Sequence, residues 1–175
     1  MQTHGERMLL RLRDFQQAKG QGRSPLRKAG DSAHRIDEQR DGVRLSLDFE
    51  EVDKLGLRMR RFQAAMANPA ETFDLARLRR QAEEIARRVS YLTENIALIE
   101  IDQSHGKAQL RSQAPLQEKS GKSYFEILLN GNHSLSLCRY EISGSASPRQ
   151  LVAFGTTQEI FERLVNDFVA VLSLG

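Results

Sequence analysis

The sequence predicts an α+β fold: an antiparallel αα-hairpin with heptad spacing, followed by an antiparallel β-meander of about four to five strands closed by a C-terminal amphipathic helix. Three patterns lead to this prediction. Apolar residues recur at helical spacing between residues 49 and 96, alternate with polar residues between 97 and 154, and form a wide stripe after residue 156. A chain of 175 residues is long enough to bury one substantial core.

The longest predicted helix runs from Asn68 to Ile96. Asn68 is placed to cap it, Pro69 suits its first position, and the carboxylate of Glu71 suits the third. Apolar residues then recur at spacings of three and four, the heptad pattern of a helix that packs along one apolar partner. The stripe comprises Leu75, Leu78, Ala82, Ile85, Val89, Leu92 and Ile96.

A shorter helix is predicted to precede it and to form the other half of the hairpin. Residues 43–47 alternate as in a short strand, and Asp48 with Glu51 then matches a capping box. The apolar positions that continue at helical spacing are Phe49, Val52, Leu55, Met59, Phe62 and Met66. A break at residues 67–69 predicts a tight turn between two antiparallel helices.

The second helix of this hairpin is longer than the first by about nine residues, or roughly 13 Å. Its overhanging apolar end predicts a contact beyond the first helix. We interpret the seam as the interface of a homodimer, formed by Leu78, Ile85, Val89, Leu92 and Ile96. The alternative is that the sheet or the closing helix covers these side chains within one chain.

The second half of the sequence has the alternation of an antiparallel meander, with its clearest turn at Asn130-Gly131. A three-residue loop from Leu129 to Gly131 would place Phe125 opposite Leu135 and would give Gly131 a left-handed conformation. We therefore predict a hairpin in that register.

The C-terminal region combines a last strand, at residues 150–154, with a closing helix. Thr156 and Glu159 match a capping box at the start of that helix. Its wide apolar face consists of Ile160, Phe161, Leu164, Val165, Phe168, Val169 and Leu172. A face of this width predicts that the helix covers one side of the sheet.

The formal net charge of +3 is concentrated near the N-terminus, where residues 1–44 carry ten Lys and Arg against six Asp and Glu. We predict a basic N-terminal arm over residues 1–41, with a short amphipathic helix at 5–18 and a polar linker, and a single domain over 42–175. The candidate phosphate-binding residues are Arg7, Arg11, Arg13, Lys19, Arg23, Arg27 and Lys28. A solubilising tail is the alternative interpretation. Removal of the arm is expected to leave the domain folded.

Few side chains suggest chemistry. Glu100, Asp102 and His105 could approach one another near a turn, but their position in the alternation predicts that they face solvent, so we predict no metal site. Cys138 is the only cysteine, which excludes an internal disulfide. His133 is five residues away on the same predicted strand and so points to the other face. We predict no catalytic residues and no cofactor.

We therefore expect a non-enzymatic protein-interaction module that self-associates through the helical hairpin. Sequence-independent nucleic-acid binding through the basic arm is the alternative, and an enzyme using Cys138 is a third possibility. Salt dependence separates the first two, because phosphate contacts weaken steeply with salt whereas apolar burial does not. The absence of an apolar run long enough to span a membrane, together with the single cysteine, predicts a cytoplasmic location.

Overall fold

The computed structural model describes residues 2–21, 33–69, 72–118, 121–131, 133–144 and 147–174. Within these ranges the chain forms three helices and ten strands. The helices are α1 (His4–Gly20), α2 (Leu75–Arg88) and α3 (Gln158–Leu172). The strands are β1 (His34–Arg40), β2 (Val43–Val52), β3 (Gly56–Met66), β4 (Ile96–Asp102), β5 (Lys107–Ser112), β6 (Leu116–Glu118), β7 (Gly121–Asn130), β8 (Ser134–Ile142), β9 (Gln150–Val152) and β10 (Phe154–Thr157).

The strands form one antiparallel sheet in the order β1-β2-β3-β8-β7-β5-β4. Three short strands extend it, because β10 pairs with β3, β9 with β8 and β6 with β7. Apolar residues of all three helices belong to the same buried cluster as the inward-facing residues of the strands. The mixed α+β composition is therefore confirmed, and the helices form a layer over one face of the sheet.

The predicted αα-hairpin is wrong. The predicted first helix, which begins at the Asp48 capping box and ends at Met66, is replaced by the second half of β2 and by β3, which pair antiparallel. The short strand predicted at residues 43–47 is the start of β2. The pairing of β2 with β3 skips Glu50 and Arg60, so each strand contains a bulge. In β3 the bulge brings Met59 and Phe62, three residues apart, to the same buried face. Because a helix also repeats every three to four residues, the bulged strands imitate a helical pattern.

The predicted second helix is present only in its central part, as α2. The helix begins after Asp74, whose carboxylate accepts hydrogen bonds from the N–H groups of Ala76 and Arg77, and it ends at Arg88. The predicted position of Glu71 lies outside the described residues. The meander is longer than predicted, because Ile96 already belongs to β4 and ten strands replace the expected four to five.

The predicted hairpin around Asn130-Gly131 is present as β7 and β8, but its register is wrong. Phe125 lies opposite Arg139, and Leu129 lies opposite Leu135. The last pair before the turn is formed by Asn130 and Ser134. This register pairs Ile127 with Leu137 and Leu129 with Leu135, whereas the predicted loop would leave Ile127 opposite His133. Gly131 has the left-handed conformation that its position predicts, with φ of 55°.

The closing helix is present as α3 and covers the sheet as predicted. It begins one residue later than the predicted capping box, since Thr157 rather than Thr156 accepts a hydrogen bond from the N–H of Ile160. Phe161 and Phe168 are fully buried, and both contact the ring of Phe62 in β3.

The N-terminal helix is present as α1 and lies against the rest of the chain. Its apolar side chains Met8, Leu9, Leu12 and Phe15 are buried in the common core. Part of the predicted linker between residues 19 and 42 is the strand β1, which pairs along its length with β2. No helix in the described part of the chain is long and apolar enough to cross a membrane.

Candidate binding groove

A groove with a volume of about 900 Å³ opens at one end of the sheet. It lies where the C-terminal end of α1, the turn between β2 and β3, the segment formed by β10 and the start of α3, and the loop after α2 come together. Binding sites for small ligands typically measure roughly 300–1,000 Å³, so this groove lies at the upper end of that range.

Aromatic and aliphatic residues are the largest class in the lining, nine of its twenty residues. Phe125 and Phe154 meet edge to face, with ring centroids 5.0 Å apart. The apolar side chains of the groove are Phe15, Val52, Leu55, Leu57, Tyr91, Leu92, Phe125, Phe154 and Ile160. The charged lining residues have both signs and are Lys19, Glu51, Asp53 and Arg58. Such a surface favours apolar groups and does not select strongly for one charge.

The free edge of β10 runs along the groove. All four residues of this strand, Phe154 to Thr157, line the groove. Because consecutive residues of a strand point to opposite faces, the feature that all four share is their backbone edge. Among the described strands β10 pairs with β3 alone. The groove therefore exposes backbone N–H and C=O groups on its β10 side.

Leu55 is the most exposed large apolar residue in the described part of the chain, with 81% of its surface accessible, and it lies at the groove. A rigid turn presents it. The Asp53 carboxylate accepts hydrogen bonds from the N–H groups of Leu55 and Gly56, each at 2.8 Å. These two donors, Gly56 foremost, hold the pKa of Asp53 below its ordinary value. A side chain at Gly56 would clash with the backbone of Thr156, so the turn packs directly on β10.

The predicted interface residues lie mainly inside the single chain. Leu78, Ile85 and Val89 have no exposed surface, and Ile96 is 6% exposed. Leu92 is half-buried and lines the groove. The sheet and α3 thus cover the seam within one chain, and the homodimer stays a prediction.

The predicted basic arm is divided by the structure. Arg7 is buried and forms an ion pair with Glu38 of β1. Arg11, Arg13 and Lys19 are exposed on α1. The remaining candidates, Arg23, Arg27 and Lys28, lie outside the described residues. Nucleic-acid binding therefore stays a prediction that relies, in the described part, on three exposed cations.

The predicted candidates for chemistry remain apart. Cys138 is buried between Glu126 and Arg61 on neighbouring strands. His133 lies in the loop before β8, where its Nδ1 atom is 2.6 Å from the carbonyl oxygen of Gly131. His133 therefore lies outside the strand that carries Cys138 and is not placed to act as a base for its thiol.

The acidic cluster near His105 is an exposed turn. Asp102 contacts His105 Nδ1 at 2.7 Å and accepts a hydrogen bond from the Ser104 hydroxyl, and these contacts, the one with Ser104 foremost, lower its pKa to about 2. The described side chains contain no group of three or more His, Cys, Asp or Glu arranged to hold a metal ion.

The groove could not be predicted from the sequence, because its lining residues come from segments that are far apart in the chain. The one local signal is Leu55-Gly56, an apolar residue beside a glycine in a polar turn. Comparison with known proteins adds no assignment, since no protein-family model, no curated protein and no solved structure matches this chain.

Proposed function

We propose that this protein is a protein-interaction module that binds an extended segment of a partner chain. The segment adds as a strand to the free edge of β10. The observation that supports this proposal is that all four residues of β10, residues 154–157, line the groove while the strand pairs, among the described strands, with β3 alone. Backbone groups along the edge hold the segment, and alternate side chains enter the groove and give specificity.

The energetics of strand addition fit the composition of the groove. Backbone hydrogen bonds to a four-residue strand contribute only about 1 kcal/mol each after the loss of bonds to water. Apolar burial must therefore supply much of the affinity, at about 25 cal/mol per Å². Leu55, which is 81% exposed, provides apolar surface beside the edge, together with the half-buried Leu92 and Ile160. Phe125 and Phe154 are almost fully buried and form the floor of the groove.

A compact apolar ligand is a weaker explanation of the same groove. It would fill the volume but would leave the N–H and C=O groups of β10 bonded to water. Gly155 also favours an extended chain, because a Cβ atom built there would meet no atom within 4 Å. A glycine in a strand commonly marks a place where another backbone approaches closely.

The proposal is tested with the full chain and a phage-displayed library of random peptides of about ten residues, the upper length of an ordinary strand. We expect the recovered peptides to share apolar residues at alternate positions. Gly155→Trp fills the open space beside β10 with a large side chain, without backbone strain, and should weaken binding of a recovered peptide by at least about tenfold.

Gln113→Trp is the matched control, because Gln113 is exposed and does not line the groove. It should bind the same peptide as tightly as the unchanged protein does. Fluorescence anisotropy of a labelled peptide measures both affinities. If the library yields no binder, or if Gly155→Trp binds the peptide with unchanged affinity, strand addition at β10 is refuted.

A further inference from the structure

A buried ion pair lies beside the groove. The guanidinium of Arg139 in β8 is 2.8 Å from the Glu94 carboxylate, and the side chains of these residues are 9% and 7% exposed. Arg139 also donates a hydrogen bond to the Ser123 hydroxyl at 2.7 Å and lies over the ring of Phe125, 4.5 Å from its centroid. Among the described residues, neither oxygen of the Glu94 carboxylate accepts a hydrogen bond, so the ion pair with Arg139 is its charged contact.

Glu94 belongs to the loop between α2 and β4, which we call the wall loop (residues 89–95). Its middle residues Tyr91, Leu92 and Thr93 line the groove. On one side of them the Tyr91 hydroxyl donates a hydrogen bond to Asp167 of α3 at 3.0 Å. On the other side stands the ion pair with Arg139. The lining residues are thus held between a tether to the helical layer and a tether to the sheet.

The ion pair connects two parts of the groove. Arg139 contacts Glu94 in the wall loop and Phe125 among the aromatic residues of the lining. A buried ion pair adds little to stability relative to apolar residues of similar size, because desolvation offsets the attraction between the charges. In some proteins a buried polar or charged group instead fixes the arrangement of the elements that it joins.

We infer that the pair of Glu94 and Arg139 fixes the distance between the wall loop and the aromatic lining, and so sets the width of the groove. Both are positioning residues, which act on the bound segment through Leu92 and Phe125. The inference rests on the proposed strand addition for its effect on ligands. Its effect on the wall loop is independent of any ligand.

The test compares Glu94→Met, Arg139→Met and the double variant that carries both. Each single variant leaves one buried charge without its partner and should lower the melting temperature. The double variant replaces the pair by apolar side chains of similar length and should regain most of that stability. The double variant separates a structural role of the pair from a positioning role. If the pair only stabilises the fold, hydrogen exchange of the wall loop and peptide affinity should both return to normal when stability does.

Two measurements on the double variant decide the matter. Hydrogen exchange of the amides of residues 91–94 should be at least about tenfold faster than in the unchanged protein, because the ion pair that ties Glu94 to β8 is gone. The backbone hydrogen bond from Gln113 to the Asn95 carbonyl stays at the end of the loop. The affinity for the peptide recovered against the unchanged protein should remain at least about tenfold weaker. Wall-loop exchange equal to that of the unchanged protein, or an affinity that returns with stability, would overturn the inference.

Failure of the proposed function gives a different pattern. If no peptide is recovered, strand addition at β10 is refuted. Fast hydrogen exchange of the wall loop in the double variant would still show that the pair of Glu94 and Arg139 holds this loop. If a peptide binds the unchanged protein and the double variant equally, strand addition stands and the positioning role falls.

Discussion

Gly5 of α1 and Glu162 of α3 lie in backbone contact, because a Cβ atom built on Gly5 would clash with the Glu162 carbonyl oxygen. The amide of Gly5 donates a hydrogen bond to the Asn166 side chain at 2.9 Å, in the next turn of α3. The first and last helices of the described chain are therefore locked together at a position where only glycine fits.

Gly5→Ala is expected to destabilise the protein by about 1–3 kcal/mol, because the added methyl group forces the two helix backbones apart. Chemical denaturation followed by circular dichroism measures the change. Gly20→Ala is the control within the same helix, since a Cβ atom there meets no atom within 4 Å. It should leave stability unchanged or raise it slightly. Equal losses in both variants would contradict the close crossing.

Ile85→Asp is expected to unfold the protein. Ile85 lies in α2 with no exposed surface, so the substitution places a carboxylate without a partner in an apolar core, at a cost of several kcal/mol. This loss is a large share of the stability of an ordinary domain. Arg87→Ala is the control, because Arg87 is exposed in the same helix. A melting temperature lowered equally by both substitutions would contradict the burial of this face.

Local patterns predict the second half of this chain better than the first. The turn at Asn130-Gly131 and the stripe of the closing helix are strong signals, and β7, β8 and α3 follow from them. The same reasoning gives the wrong element for β2 and β3, because bulges at Glu50 and Arg60 interrupt the alternation of apolar and polar residues that marks a strand. A bulge depends on pairing with a partner strand, which no local pattern contains.

The groove could not be predicted for a related reason. Its lining combines Phe15, Leu55, Leu92 and Phe154, which belong to four separate segments of the chain. Such a site depends on tertiary packing rather than on spacing along the sequence. The interface prediction shows the same limit, because an apolar stripe reveals that a face is covered and does not reveal what covers it.

Glu84 is expected to titrate at low pH. Hydrogen bonds from Arg87 and then Arg88 lower the pKa of its carboxyl to about 2, compared with an ordinary value of 4.5. Because the pKa of Glu84 is lower in the folded than in the unfolded protein, the ionised carboxylate stabilises the fold at pH values above 4.5. This contribution is lost as the pH falls from 4.5 towards 2. NMR titration of the Glu84 carboxyl carbon measures the midpoint. In Arg87→Ala the midpoint should rise, and an unchanged midpoint would contradict the assigned cause.

Leu55→Asp is expected to leave stability within about 0.5 kcal/mol of the unchanged protein, because the side chain is almost fully exposed. The same substitution should lower the affinity for a peptide recovered against the unchanged protein by about tenfold, since it removes apolar surface at the groove. Leu116→Asp is the control, because Leu116 is also exposed but lies outside the groove lining. Equal affinity in both variants would show that Leu55 takes no part in binding.

Deletion of residues 1–21 is expected to cost several kcal/mol, in contrast to the expectation from sequence that the N-terminal region is dispensable for folding. Met8 and Leu12 of α1 are buried almost completely, and each such side chain contributes about 1.5–3 kcal/mol. Thermal unfolding of the shortened chain measures the effect. Deletion cannot, however, test nucleic-acid binding, because a loss of binding would follow from loss of the fold.

Replacement of the exposed cations Arg11, Arg13 and Lys19 by alanine avoids that difficulty. None of the three belongs to the buried cluster, so the melting temperature should stay close to that of the unchanged protein. If nucleic acid is the partner, the unchanged protein should bind duplex DNA with an affinity that falls steeply with salt, since neutralised phosphates release their counterions. The triple variant should then show a slope of log affinity against log salt that is smaller by about three. Salt-insensitive or undetectable binding by the unchanged protein would exclude nucleic acid as the partner, whereas an unchanged slope in the triple variant would exclude α1 as its binding surface.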